Sequence, residues 1–99
     1  MKFYITYPKQ KPGIKFETFE AKEYREAFQH AADSANGWGF SIETEVSASY
    51  VVRLNGRAVF YFSRKDYAED FSRRVLAAEN EVQNKTNAFY NISLSVEEC

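Results

Sequence analysis

Cysteine is almost missing from this sequence: Cys99, the last residue, is the only one. No intramolecular disulfide can form, which excludes a disulfide-stapled scaffold. Histidine is equally scarce. His30 and Cys99 are too few for a tetrahedral transition-metal site within one chain, so no metal is expected. The four glycines stand apart at positions 13, 37, 39 and 56, and none belongs to a phosphate-binding loop. Charge of one sign is also lacking. A net charge of −1 gives neither the basic footprint of a strong non-specific nucleic-acid binder nor the acidic excess of a DNA mimic. No stretch approaches the ~20 apolar residues of a membrane span. The opening "MKFYITYPK" has no apolar core of a signal peptide, so the expected location is cytoplasmic and no membrane partner is expected.

What the chain does have is aromatic residues: nine Phe, seven Tyr and one Trp in 99 residues. That length makes one domain, residues 1–99, with one core. Large rings dominate both cores and interfaces, and 17% aromatic content is more than a small core needs.

One local pattern occurs twice. "FEAKEYREAF" spans Phe19 to Phe28, and "FSRKDYAEDF" spans Phe62 to Phe71. Each copy is preceded by two alternating, strand-like runs and followed by a helical pattern and another strand. "KFYITY" and "IKFETF" flank a Pro8–Gly13 turn with Lys9 and Lys11 at its tip. Glu20–Ala35 has helical periodicity, with Tyr24, Phe28, Ala31 and Ala35 as its stripe and Asn36-Gly37 as its stop. Phe40–Ser47 alternates, with Phe40, Ile42, Thr44 and Val46 on one face. In the second half, Asn55-Gly56 predicts a type I′ hairpin that pairs Leu54 with Arg57, Val52 with Val59 and Tyr50 with Tyr61. A helix over Ser63–Lys85 follows, with Tyr67, Phe71, Val75, Ala78 and Val82 inward, then a strand over Ala88–Val96. The expected fold is α+β and two-layered: a mainly antiparallel sheet of about six strands with two helices on one face. Its order is a pseudo-duplicated ββαβ plus ββαβ, with halves near 1–47 and 48–99.

Within the repeat, Ser63 and Asp66 fit a capping box, and Phe62 with Tyr67 fits a hydrophobic staple. Phe19 and Tyr24 fit the same staple in the first copy, with Glu20 as the N-cap. The repeat is thus read as a strand-to-helix corner rather than a paired active site. Lys22 and Lys65 are the residues without a role in it, since a lysine at N2 opposes the helix dipole.

No catalytic constellation is visible. A hydrolytic triad would need a nucleophile and an orienting acid around His30, which is expected to be an ordinary helix-surface or boundary residue. Glu43 and Glu45 belong on the wet face of a strand, and Arg73-Arg74 on a solvated helix face. The chain is therefore read as non-enzymatic, without catalytic residues and without a cofactor. The second hairpin carries apolar residues on both faces, and such surplus marks interfaces. With Trp38, set between Gly37 and Gly39, it supplies the candidate partner-binding residues: Trp38, Tyr50, Val52, Arg53, Arg57, Val59 and Tyr61. The expected function is that of a protein-binding module blocking its partner's site sterically, in the style of the small inhibitors of host machinery that phages and plasmids encode. The partner would be a host protein or a second copy in a homodimer. The alternative is a single-stranded nucleic-acid binder using the same aromatics and the basic turns.

Overall fold

The computed structural model describes residues 1–9, 13–86 and 92–99. The chain runs β1 (Lys2–Tyr7), β2 (Lys15–Glu20), α1 (Tyr24–Ala35), β3 (Ser41–Glu43), β4 (Tyr50–Leu54), β5 (Arg57–Phe62), α2 (Lys65–Thr86) and β6 (Leu94–Glu98). Two helices and six antiparallel strands make the fold α+β. The strands do not form one sheet of six. They divide into two sheets of three, ordered β2-β1-β3 and β5-β4-β6. Lys11 at the first turn, and the start of the last expected strand at Ala88 and Tyr90, lie outside the described residues.

The break between the sheets has a local cause. β3 was expected to run to Ser47 but ends at Glu43. Thr44 and Ser47 close a side-chain-bonded turn instead: the Thr44 amide donates to Ser47 Oγ at 2.9 Å, and Ser47 Oγ donates to Glu43 at 2.6 Å. Ser and Thr hydroxyls compete with the ladder in this way. A three-residue edge strand offers too little backbone to extend the sheet. Val46, expected to face inward, is therefore 90% exposed.

Sheet one uses both faces. The β1–β2 register sets Phe3, Ile5 and Tyr7 with Phe19, Glu17 and Lys15 on the α1 side. Tyr4 and Phe16 point the other way, into the second half of the chain. Phe16 meets Phe60, Phe62 and Phe71 edge-on at 5.9, 5.6 and 5.1 Å, and Tyr4 meets Phe60 and Tyr61 at 5.0 and 4.9 Å. Edge-to-face rings at these distances stabilise beyond their burial alone. Arg74 of α2 clasps the same place: it lies 5.6 Å over the Phe16 ring, donates to the Ile14 carbonyl and pairs with Asp70 at 2.9 Å. Arg74 is thus a joint between the halves, and only Arg73 matches the solvated face expected for the pair.

In the second sheet the turn at Asn55 and Gly56 has the positive φ values of 52° and 83° that a type I′ hairpin requires. The register follows expectation for two pairs only, Leu54 with Arg57 and Arg53 with Ala58. It then shifts, so that Val52 pairs with Phe60, Val51 with Tyr61 and Tyr50 with Phe62. Val59 is the extra residue, a β-bulge that reverses the facing of everything beyond it. Val52, Phe60 and Phe62 consequently bury together against Ala68 of α2.

The two corner copies differ in detail. α2 opens at Lys65, and the Ala68 amide reaches back to the Arg64 carbonyl. Ser63 does not cap it; Asp66 accepts from the Arg64 guanidinium and the Tyr67 amide. α1 has Glu23 as its N-cap, with no side-chain capping bond, rather than Glu20. Lys22 therefore stands outside its helix and Lys65 is the first residue of the other, so neither takes the N2 position.

Phe16 is the main seam between the halves. Phe16→Ala should lower unfolding stability by about 3 kcal/mol, measured by urea denaturation; a loss below about 1 kcal/mol would contradict that role.

Candidate functional site

The stripe that buries α1 is Ala27, Ala31 and Ala35, all at or below 1% exposure. It is not the expected stripe of Tyr24, Phe28, Ala31 and Ala35. The inward residues of β1 are large, and small residues facing large ones fill a layer without strain. Turning alanines inward rotates Tyr24 and Phe28 toward the rim. They remain 57% and 47% exposed. Their rings are linked, Tyr24 to Phe28 at 6.2 Å and Phe28 to Phe40 at 5.2 Å, and Phe40 continues to Tyr7 at 6.5 Å. This makes a continuous aromatic ridge anchored in the core at both ends, since Tyr24 also meets the buried Phe3 ring edge-on at 6.2 Å.

Trp38 lies in the connection just beyond. Asn36 and Gly37 take φ values of 50° and 90°, and the Asn36 amide bonds to the Ala32 carbonyl. Two consecutive left-handed residues end the helix abruptly, as Asn and Gly permit. Trp38, with its amide on the Ala35 carbonyl, is left 58% exposed.

The other flank of α1 holds a polar joint. Glu17 shares the inward face of β2 with Phe19, which would be unfavourable without a partner. No bulge near residue 18 relieves it; the β1–β2 register is unbroken. His30 supplies the partner instead, donating from Nε2 to the Glu17 carboxylate while its ring stacks on Phe19 at 4.0 Å. Lys15 also reaches Glu17 at 3.8 Å and lies 5.6 Å over the Tyr7 ring. The Tyr7 hydroxyl is buried with no partner in hydrogen-bonding geometry. Burial chiefly raises its pKa; the nearby Ser34 side chain opposes the rise, and Glu17 adds to it. With Phe19 covering the imidazole, this pair locks the rotation of α1.

The seven residues expected to bind a partner do not come together. Val52 is fully buried, and Tyr50 is half-buried on the α2 side with it. Tyr61 turns to the opposite face, against Tyr4. Val59 is half-buried at the bulge. Arg53 is engaged by Glu97 at 3.4 Å and by the Gly56 carbonyl at 3.3 Å, while Arg57 is exposed at the turn. The expected patch of Tyr50, Val52, Val59 and Tyr61 required a regular ladder, which the bulge removes. Of the seven, Trp38 is 58% exposed and stands two residues before Phe40 in the sequence.

A groove opens on the far face of sheet one. It has a volume of about 550 Å³ and is lined by Met1, Lys2, Tyr4, Thr44, Glu45 and Val46. Its size is within the range of small-ligand clefts. Among the described residues no three His, Cys, Asp or Glu side chains gather as a metal site, and no helix is long and apolar enough to cross a membrane.

Tyr7 generates a clear test. Its raised hydroxyl pKa means that the folded state favours the neutral phenol, so stability is full below pH 10 and falls as pH rises from there through the folded value. Tyr7→Phe should flatten that alkaline loss. At neutral pH it should leave stability unchanged or raise it by about 1 kcal/mol, since a buried hydroxyl without a partner carries a desolvation cost that phenylalanine does not. Denaturation midpoints across pH 7–11 would measure both; an unchanged alkaline slope would contradict the assignment.

No protein-family model matches this chain, no curated protein matches it, and no solved structure matches its fold.

Proposed function

We propose that the chain is a non-enzymatic protein-binding module and that the Tyr24–Phe28–Phe40 ridge, together with Trp38, is its contact surface. The observation that carries this is the outward turn of two large rings on a helix that buries alanines instead. Exposing Phe28 and Tyr24 forgoes burial that the same helix could have had, and contiguous exposed aromatics are the usual anchors of protein interfaces.

The two halves sharpen the contrast. We infer a pseudo-duplicated ββαβ order, supported by the repeated Phe-Lys-Tyr-Phe spacing and by sheets that each place the first strand of their half at the centre. At matching places in the repeat stand Phe71 and Phe28. Phe71 is covered by Phe16 from the other half, whereas the ring partners of Phe28 among the described residues are Tyr24 and Phe40 of the ridge, and it is left 47% exposed. A partner's side chain would cover Phe28 as Phe16 covers Phe71. The action would be steric, with the partner's own site blocked by a rigid face, as in an inhibitor of host machinery.

Single-stranded nucleic acid is the second candidate and is less well served. Five of the six arginines hold a carboxylate of their own chain, namely Arg25, Arg53, Arg64, Arg73 and Arg74, which leaves Arg57. Phosphate binding draws on unpaired cations.

Capture from host lysate should recover a specific protein with the wild-type chain and lose it with Phe28→Ala and Trp38→Ala, each by about tenfold or more in affinity, while both variants keep their fold. Retained capture by folded variants would overturn the assignment of the ridge. Salt-sensitive binding of labelled single-stranded DNA or RNA, unaffected by protein partners, would favour the alternative.

A further inference from the structure

The groove on the far face of sheet one has a chemistry distinct from the ridge. Its apolar lining residues are Met1, Val46 and Tyr4, and Val46 is almost wholly exposed. The turn that ends β3 holds Val46 there, since Thr44 and Ser47 bond each other across it. One charged wall residue is acidic. Glu45 has no ion pair or hydrogen bond among the described residues, while the neighbouring Glu43 is held by Ser47 and Glu20 by the Met1 amino group at 3.6 Å. The cationic wall residues are Met1, through the amino group that Glu20 holds, and Lys2, whose ammonium lies 5.8 Å from the centroid of the Tyr4 ring.

These features fit one class of guest. The Tyr4 face already attracts a cation, and the cation it has is a distant ammonium. Burial, then Tyr61, Glu45 and Glu20, raise the Tyr4 hydroxyl pKa; Glu20 is paired with the Met1 amino group, so Glu45 is the carboxylate at the groove left to meet a guest cation. A planar guanidinium can stack on a tyrosine ring and meet a carboxylate with paired N–H groups at the same time, which an ammonium cannot. Its aliphatic stem would lie along Met1 and Val46.

We propose that this groove accepts an arginine side chain presented by a protein partner, with its stem on Met1 and Val46 and its guanidinium between the Tyr4 ring and the Glu45 carboxylate, in the place that Lys2 now covers. Lys2 is then a resident competitor and not a ligand. The proposal rests on the protein-binding function for the source of the arginine, but the site is separate from the ridge and can be tested without the partner.

The test uses n-butylguanidinium chloride as the probe and N-butylurea as its neutral isostere, titrated into the ¹⁵N-labelled full chain and followed by amide chemical shifts. Butylguanidinium should give saturable shifts confined to Lys2, Tyr4 and Thr44–Val46, with affinity about threefold or more above that of butylurea. Glu45→Gln should weaken it by about threefold, and Lys2→Ala should tighten it, because the competing ammonium is gone. Both residues are exposed, so neither change threatens the fold. Equal affinity for butylurea, indifference to Glu45→Gln, weakening by Lys2→Ala, or shifts only outside the groove would each overturn the proposal. Those outcomes leave the ridge untouched, whereas retained capture by the ridge variants would remove the protein-binding surface and leave the groove standing.

Discussion

Three alanines decide which way the first helix faces. Ala27, Ala31 and Ala35 lie against the large inward residues of β1, and no other face of α1 could approach that layer so closely. The rest of the first half follows from this contact. On one flank the rotation brings His30 over Phe19 and onto Glu17, which gives an inward-facing carboxylate the partner it needs. On the other flank it turns Tyr24 and Phe28 outward beside Phe40. One packing choice thus produces both the polar lock and the exposed ridge.

The second half is organised by a different constraint. The bulge at Val59 turns Phe60 and Phe62 toward α2, and Phe16 enters that layer from the opposite half. Phe71 is closed over as a result. Sheet one is covered on one face by α1 and meets the second half with the other, and β5 lies alongside β1 and β3. Among the described residues the buried side chains gather in three clusters, and Tyr4 and Phe16 carry the first half onto the cluster of the second. The face that carries Tyr4 is left with a groove at its margin, where β3 ends early.

Much of the fold was legible in the sequence. Period-two and helical patterns located β1, β2, β4, β5 and both helices, and Asn55-Gly56 specified its turn. The α+β class followed from their order. What was hidden is physical in each case. Alternation does not reveal a bulge, so Tyr50 and Val52 were expected to face away from the helices with Tyr61, whereas they pack on the α2 side with Phe60 and Phe62. Helical spacing allowed two apolar stripes on α1. Size should have separated them, since Ala27, Ala31 and Ala35 keep strict four-residue spacing opposite a strand of large residues. The Thr44–Ser47 turn looked like continued alternation because threonine favours strands as well as side-chain-bonded turns. The pairing of Glu17 with His30 depends on the inward facing of a charged strand residue, which local sequence argues against.

The rotation of α1 sets both the polar lock and the exposed ridge, and side-chain accessibility measures that rotation directly. In the isolated chain, a soluble paramagnetic gadolinium chelate should strongly relax the ring protons of Tyr24, Phe28 and Trp38. It should leave the methyl groups of Ala27, Ala31 and Ala35 protected to the same degree as the Phe62 ring. Protected Tyr24 and Phe28 rings with relaxed alanine methyls would place the aromatic stripe in the core and contradict the account.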